Sequence, residues 1–364
     1  MHKISLDQRI LDLRPDQIKM RLGSKSKACL LNSHDIFRVL REEKVIVMAC
    51  NARIKHVIPG IMRAAEESDS VVAFELAKSE GGVDGGYTGQ TPQIFFETIV
   101  EYAERINFTK PFFIHGDHIT VKDTSAESFD SAQELIKAEI EAGYTSFAID
   151  ASFNELPDNT EITTKLAQPI IEQGLGLEVE VGEIKHAGTE ARITTVEEAT
   201  TFISGLAKGK VCPDLLAINN GSKHGNYLEG EKVSIDLDRT KEIFVAISDQ
   251  GVCIAQHGIT GTPLHLVGKF ADYGIRKGNV GTEWQNIAHQ GLPQELMDEM
   301  RRWAETNHKD MKFTTREFKK EIDSIPEKNA KQIEQKSYQT ALEFIQAFRA
   351  QNLASLVKNK LSAR

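Results

Sequence analysis

Eight short apolar runs recur along the chain, and each ends beside a polar or ionisable residue. The runs are mostly apolar throughout and do not alternate, which is typical of strands buried on both faces of a parallel sheet. The pattern is weakest in the last run, which Arg276 and Lys277 interrupt. The predicted strands are residues 45–50, 71–76, 112–115, 146–149, 177–181, 215–218, 252–256 and 274–277.

Amphipathic segments with a helical period separate these runs. The clearest is 128–142, in which apolar residues recur at three- and four-residue spacing while charged residues take the other face. Residues 159–173 and 195–207 show the same pattern, and Thr195 with Glu198 three residues later predicts a capping box. Strands that alternate with helices in this way predict βαβ units and a parallel sheet.

Eight such units predict an α/β fold, a (β/α)8 TIM barrel, whose typical length is about 250 residues. A doubly wound open sheet has the same alternation, so the pattern alone leaves barrel closure open. We expect residues 45–290 to form the barrel, preceded by an N-terminal helical segment, 1–44. Residues 291–364, rich in charge and helix formers, are expected to form a C-terminal helical extension that packs on the barrel or on a partner subunit.

Composition narrows the functional classes. The chain has 364 residues and a formal net charge of −9, which argues against nucleic acid as its main partner. No apolar stretch approaches the roughly 20 residues of a membrane span, and the N-terminus lacks the apolar region of a signal peptide. The cysteines show no CxxC spacing. We therefore expect a cytoplasmic enzyme without a membrane partner.

Three of the strand endings carry histidine. In a (β/α)8 barrel the active residues lie at the carboxyl ends of the strands, so side chains distant in sequence meet at one mouth. His118, His224 and His257 all follow predicted strands, whereas His115 is expected to point differently. A catalytic zinc ion takes three protein ligands and keeps one position open. A single histidine is more often a surface or core residue, but the shared placement of these three predicts a metal site.

Glycine-rich loops follow the same strands. Gly225 comes directly after one of the three histidines, and Gly258, Thr260 and Gly261 follow another. Backbone N–H groups in such loops, together with a following helix N-terminus, can bind a phosphate. Glycines also simply turn a chain, so the spacing alone leaves both interpretations open.

Six short motifs occur in chain order at or just past the predicted strands. They are Asp117-His118, Ile149-Asp150-Ala151-Ser152, Leu177-Glu178-Val179-Glu180-Val181-Gly182, Lys223-His224-Gly225-Asn226-Tyr227, His257-Gly258-Ile259-Thr260-Gly261 and Lys277-Gly278-Asn279-Val280-Gly281-Thr282-Glu283. In this order they resemble the successive signatures of the class II, zinc-dependent ketose-bisphosphate aldolases, the family of the fructose- and tagatose-bisphosphate enzymes. The resemblance covers residues 40–290, and six motifs in register on eight predicted strands are far more specific than any one of them.

The resemblance implies a metal site and an acid/base beside it. It implies zinc, or another divalent cation, on His118, His224 and His257, with Glu180 as a ligand of an alternative metal position. It implies that Asp117 is the acid/base for the hydroxyl at the bond that is formed or broken. It also implies a monovalent cation, K⁺ or Na⁺, near the substrate phosphate.

The resemblance further implies a second acid/base and a set of substrate-binding residues. In the family, a glutamate on a mobile loop after the fifth strand handles the carbon-bound proton of dihydroxyacetone phosphate. Glu190 is the candidate in this chain, and Glu183 is the reserve. The residues expected around the phosphate and the ketose end of the substrate are Asn51, Gly225, Gly258, Thr260, Gly261, Asn279 and Thr282.

The implied reaction is the reversible aldol cleavage of a phosphorylated sugar, fructose 1,6-bisphosphate, to dihydroxyacetone phosphate and glyceraldehyde 3-phosphate. The implied assembly is a homo-oligomer, a dimer or a tetramer. Gly281 stands where fructose-bisphosphate members often carry aspartate and tagatose-type members a small residue, so tagatose bisphosphate or another ketose phosphate is an alternative substrate.

A second departure concerns residues 85–92, which are similar to a segment of the non-catalytic partner subunit of tagatose-bisphosphate aldolases. A non-catalytic subunit of an aldolase complex is therefore an alternative function. The simpler interpretation of this segment is a flexible loop that closes over the second phosphate of the substrate.

Overall fold

Eight parallel strands close into a barrel in which each strand pairs with the next and the last pairs with the first. The structure is a computed structural model that describes residues 6–182, 192–226 and 233–363. Closure of the ring confirms the predicted (β/α)8 barrel and excludes the doubly wound alternative. The strands are β1 (Val47–Asn51), β2 (Val72–Ala77), β3 (Phe112–Thr120), β4 (Ser146–Asp150), β5 (Gly176–Val181), β6 (Leu215–Ile218), β7 (Cys253–Gln256) and β8 (Ile275–Val280).

Helices before β1 cover the amino end of the barrel. They are α1 (Leu6–Leu11), α2 (Asp16–Leu22) and α3 (Ser33–Leu40). Phe37 of α3 packs edge-on against Phe113 of β3, with ring centroids 5.7 Å apart. Ser33 donates a hydrogen bond of 2.7 Å to Ser146, the first residue of β4. The amino end is thus closed, and the carboxyl end is left for the site.

The helices between strands pack on the outside of the barrel. The capping box predicted at Thr195 is confirmed, because its hydroxyl accepts the Glu198 N–H at 3.1 Å and the Glu198 carboxylate accepts the Thr195 N–H at 2.8 Å. These helices are α4 (Ile58–Glu67), α5 (Lys78–Gly81), α6 (Pro92–Arg105), α7 (Ala126–Ala142), α8 (Leu156–Glu172), α9 (Val196–Lys208), α10 (Leu237–Ile247) and α11 (Leu264–Val267).

The chain after β8 is helical and packs on the barrel. α16 (Glu327–Ala347) lies along α4 and α12 (Thr282–Gly291), and α17 (Leu353–Ser362) contacts α1 and α3. No helix in the three described ranges combines the length and the apolar character needed to cross a lipid bilayer. These last helices are α12 (Thr282–Gly291), α13 (Gln294–Thr306), α14 (Thr314–Glu317), α15 (Lys319–Asp323), α16 (Glu327–Ala347) and α17 (Leu353–Ser362).

β3 runs further than predicted, to Thr120, because its polar end continues the strand into the barrel mouth. Its pairing with β4 shifts register between Gly116 and Ile119, and His118 has a φ of +38°, in the left-handed region. Neighbouring residues of a regular strand point to opposite faces, but a bulge re-aims a side chain. Asp117 and His118 can therefore both reach groups at the mouth of the barrel.

Candidate functional site

The three histidines predicted to bind zinc come together at the carboxyl end of the barrel. His118 lies near the end of β3, His224 in the loop after β6, and His257 directly after β7. The ring centroids are 4.4 Å apart for His118 and His257, 5.0 Å for His118 and His224, and 6.1 Å for His224 and His257. The three imidazoles, one in a strand and two past strand ends, thus lie next to one another at one mouth of the barrel.

The ring nitrogens of His118 differ in their surroundings. Nδ1 lies 3.2 Å from Asp150 Oδ2 and 3.2 Å from Glu180 Oε2. Nε2 is buried and has no hydrogen-bond partner within the described parts of the chain. A buried polar atom without a partner is costly, and a bound cation would remove this cost. This orphaned nitrogen and the imidazole-rich donor set fit a zinc ion.

Glu178 orients His257 from below. His257 Nε2 donates to Glu178 Oε1 at 2.7 Å, and both side chains are buried. Because a carboxylate only accepts hydrogen bonds, Nε2 carries the proton and Nδ1 is the nitrogen left for a metal. A carboxylate behind a ligating imidazole fixes the tautomer and the ring orientation.

Two amides hold the carboxylate of Asp117 beside the histidines. Asn51 donates through Nδ2 to Oδ2 at 3.0 Å, and Asn279 donates through Nδ2 to Oδ1 at 3.1 Å. Asp117, His118 and His257 offer ligand-type atoms that all lie within 4.8 Å of one another. Burial favours a raised pKa for Asp117, but the surrounding cationic side chains outweigh burial and lower its pKa. The carboxylate is therefore ionised and able to accept a proton.

A layer of polar side chains fills the barrel beneath this mouth. The ammonium of Lys277 is fully buried and lies 2.9 Å from Glu178 Oε2 and 3.2 Å from Glu75 Oε2. It also donates to His115 Nε2 at 3.1 Å and to Asn279 Oδ1 at 3.0 Å. His115 therefore also faces the barrel interior, one layer below the metal-type residues, and Lys277 links this layer to the amide of Asn279.

Burial and neighbouring charges set the protonation of this layer. Burial lowers the pKa of His115 to about 3, so its imidazole is neutral. Burial raises the pKa of Glu75 well above its usual value, which favours the neutral form of this carboxyl. Burial opposes the charges of Lys277 and Glu178 too, but their attraction raises the pKa of the lysine and lowers that of the glutamate. The layer thus holds the Lys277–Glu178 ion pair beside the neutral imidazole of His115.

Of the seven residues predicted around the phosphate and the ketose end, five lie in the loops after β6 and β7 and at the start of α12, whereas Asn51 and Asn279 lie in β1 and β8. A Cβ at Gly258 would lie 2.5 Å from a carbonyl oxygen of the loop after β6, so the two loops are in close contact. Thr260 Oγ1 accepts the N–H of Glu283 at 3.1 Å, which joins the loop after β7 to the first turn of α12, where Thr282 lies. Glycines with positive φ in the described parts of these loops are Gly221, Gly225, Gly258 and Gly261.

Sequence reasoning left some residues of this site unassigned. Asp150 and Glu178 contact the histidines directly, and Glu80 contacts Asn51. Polar residues two positions apart in an apolar strand share one face. The residue pairs 115/117, 178/180 and 277/279 have this spacing, so the sequence contains a signal for polar layers that face the barrel interior. The two candidates for the second acid/base, Glu190 and Glu183, lie outside the described residues.

A closed (β/α)8 barrel with three imidazoles and a carboxylate at its carboxyl end is the arrangement of a metal-binding barrel enzyme. Residues 31–352 match the family model described as fructose-bisphosphate aldolase class-II. The chain therefore belongs to the class II fructose-bisphosphate aldolase family, a family of lyases.

Curated relatives agree with this family. The fructose-bisphosphate aldolase of Geobacillus stearothermophilus is 29% identical over 250 residues, which cover 65% of this chain and 75% of the relative. The fructose-bisphosphate aldolase of Ureaplasma parvum serovar 3 is 29% identical over 269 residues, 73% of this chain and 84% of the relative.

Solved structures support the fold. The YdjI aldolase of Escherichia coli K12 superposes with a TM-score of 0.64 at 20% identity, covering 89% of this chain and 99% of that one. The fructose-bisphosphate aldolase of Campylobacter jejuni gives a TM-score of 0.59 at 17% identity, covering 88% and 95%. At these identities the likeness concerns the barrel architecture alone.

Proposed function

We propose that the chain is a zinc-dependent aldolase that cleaves fructose 1,6-bisphosphate to dihydroxyacetone phosphate and glyceraldehyde 3-phosphate. The observation that carries the proposal is the meeting of His118, His224 and His257 with the ionised Asp117 at the carboxyl end of the barrel. Membership of the class II fructose-bisphosphate aldolase family supports the reaction type.

The three histidines would hold the zinc ion, His118 through Nε2 and His257 through Nδ1. Glu180, which contacts Nδ1 of His118, is the proposed ligand of an alternative metal position. When bound, zinc supplies a Lewis acid that stabilises the negative charge developing on the dihydroxyacetone phosphate half of the substrate.

Asp117 would take the proton of the C4 hydroxyl as the C3–C4 bond breaks, and return it in the reverse direction. The amides of Asn51 and Asn279 occupy one lone pair on each of its oxygens and fix the plane of the carboxylate. A second acid/base must handle the proton on carbon, and we assign this role to Glu190, with Glu183 as the reserve.

The substrate phosphate would bind at the loops after β6 and β7 and at the start of α12. Backbone N–H groups at a helix N-terminus and in glycine loops favour anions. The contact between Thr260 and the first turn of α12 supports a shared site. The proposed ligands of the phosphate and ketose end are Asn51, Gly225, Gly258, Thr260, Gly261, Asn279 and Thr282, with K⁺ or Na⁺ nearby.

We expect the variant Glu178→Gln to bind zinc about ten- to a hundredfold more weakly than the wild type, because His257 loses the carboxylate that orients it. Competition with a chromogenic chelator measures the zinc affinity without any turnover. Glu161→Gln, an exposed change on α8, is the matched control and should bind zinc like the wild type. Unchanged zinc affinity in Glu178→Gln would show that this contact does not support the metal site.

A retro-aldol assay on three substrates tests the proposed reaction. The dihydroxyacetone phosphate that is released is measured by a coupled enzymatic reduction. The substrates compared, at equal concentration, are fructose 1,6-bisphosphate, tagatose 1,6-bisphosphate and fructose 1-phosphate. We expect the highest kcat/KM with fructose 1,6-bisphosphate. A preference for either other substrate would reassign the sugar, and no turnover with any of them would favour a non-catalytic partner subunit.

The proposal also includes a cytoplasmic homo-oligomer, a dimer or a tetramer. Cys29, Cys50, Cys212 and Cys253 form no disulfide bond in the structure, as is usual in a reducing compartment. Light scattering on the purified chain measures the assembly.

A further inference from the structure

The glycine-rich segment at residues 85–90 packs against the end of α5 and does not extend as a loop over the mouth. A Cβ at Gly86, whose φ is +52°, would lie 2.5 Å from the carbonyl oxygen of Glu80, so only glycine allows this approach. Thr88 Oγ1 donates to the same carbonyl at 2.8 Å. The ring of Tyr87 packs edge-on against Phe313 at 5.9 Å. The segment therefore forms a wall around Glu80.

Every acceptor position of the Glu80 carboxylate is used by protein donors. Oε1 accepts from Arg53 Nε at 2.7 Å and from Tyr87 OH at 3.1 Å, and Arg53 Nη2 lies 2.6 Å away. Oε2 accepts from the N–H of Ala77 at 3.1 Å and from Asn51 Nδ2 at 3.1 Å. Glu80 is 3% exposed. A carboxylate saturated in this way has no lone pair for a substrate, so its effect must pass through a neighbour.

The neighbour is Asn51, whose Nδ2 atom carries two hydrogens. One points to Glu80 Oε2 at 3.1 Å, and the other points to Asp117 Oδ2 at 3.0 Å. Two carboxylates face this one nitrogen, and both accept hydrogen bonds only. If the amide were flipped, its oxygen would face both carboxylates. Glu80 therefore locks the amide in the orientation that donates to Asp117.

We infer that Glu80, held by Arg53 and by the wall of residues 85–90, is a positioning residue that keeps Asn51 donating to Asp117. The inference rests on the proposed function, in which Asp117 transfers the C4 hydroxyl proton. This inference assigns the segment 85–92 a structural role in a catalytic chain, which is to hold Glu80 in place. The guanidinium of Arg53 is also fully occupied by protein contacts. Its Nη1 donates to Gln285 at 2.8 Å, and its other nitrogens contact Glu80.

Glu80→Gln in the metal-loaded holoenzyme tests the inference. A glutamine beside the Arg53 guanidinium turns its oxygen to the arginine and its NH2 to Asn51, which favours the flipped amide. We expect kcat to fall about ten- to a hundredfold, while KM changes by less than about threefold, because the proton transfer and not substrate binding is disturbed. Glu317→Gln, an exposed change on the neighbouring α14, is the matched control and should leave both constants unchanged.

A double-mutant cycle separates positioning from general disturbance of the fold. In an Asn51→Ala background, Glu80→Gln should cause almost no further loss of kcat, because its effect passes through Asn51. Losses that multiply, or a kcat of Glu80→Gln within about twofold of the wild type, would overturn the inference. Tyr87→Phe, which removes one hydroxyl from Glu80, provides a milder second variant that should couple to Asn51 in the same way.

A crystal structure of Glu80→Gln gives a readout that does not depend on turnover. We expect loss of the hydrogen bond between Asn51 Nδ2 and Asp117 Oδ2, and its survival would overturn the inference. If the wild type cleaves none of the sugar phosphates, the proposed function fails, whereas this structural readout still decides whether Glu80 holds Asn51 in place.

Discussion

Asp117→Asn should lower kcat about a hundred- to ten-thousandfold while zinc stays bound to the protein. The change removes the group that takes the hydroxyl proton, and general acid/base catalysis contributes a factor of this size. The new amide also meets donors from both Asn51 and Asn279, so one of its ends faces an N–H group without an acceptor. Turnover is measured by dihydroxyacetone phosphate release, and zinc by plasma mass spectrometry on the same samples.

Asp123→Asn is the matched control for this variant. Asp123 is an exposed carboxylate in the loop after the same strand, β3, where it accepts hydrogen bonds from Ser125. We expect its kcat to equal that of the wild type. If Asp117→Asn keeps its kcat within about tenfold of the wild type, Asp117 is not the acid/base.

Lys277→Met should destabilise the metal-free protein by about 3–5 kcal/mol, the usual cost of leaving one member of a buried ion pair alone. The Glu178 carboxylate would remain in the barrel interior without the ammonium that now lies 2.9 Å away. Asn279 would lose the donor that fixes its orientation toward Asp117. Urea denaturation followed by circular dichroism measures the change in the free energy of unfolding.

The double variant Lys277→Met/Glu178→Gln distinguishes the lost charge pair from a poor fit of methionine. Removing the second charge removes the unpaired carboxylate, so the double variant should be more stable than Lys277→Met alone. If the double variant is no more stable than Lys277→Met, the ion pair does not contribute to the free energy of unfolding.

The barrel and the meeting of the three histidines could be predicted from the sequence because they depend on features local to each strand. Each apolar run predicts one strand, and barrel closure brings all strand ends to one mouth. His118, His224 and His257 needed only this rule to be grouped. The three rings lie near one another in the structure, and their role as metal ligands stays a prediction.

The supporting contacts could not be predicted because they depend on register and on the path of loops. Asp117 and His118 both reach the mouth of the barrel because of a bulge in β3. The residue pattern of β3 does not predict this shift in register. Glu80 contacts Asn51 across the ends of β1 and β2, and the segment at residues 85–90 packs against Glu80, so both are tertiary contacts. The shared inward face of Glu178 and Glu180 was readable from their two-residue spacing, but the partner of each was not.

The most direct test of the account is the metal dependence of cleavage by the wild-type chain. Fructose 1,6-bisphosphate cleavage is measured on the purified protein, after removal of metal with a chelator, and after return of zinc in stoichiometric steps. The account predicts that activity disappears with the metal and returns in proportion to zinc, reaching its full value near one ion per chain. Full cleavage by the metal-free protein, or no recovery with zinc or another divalent cation, would contradict it.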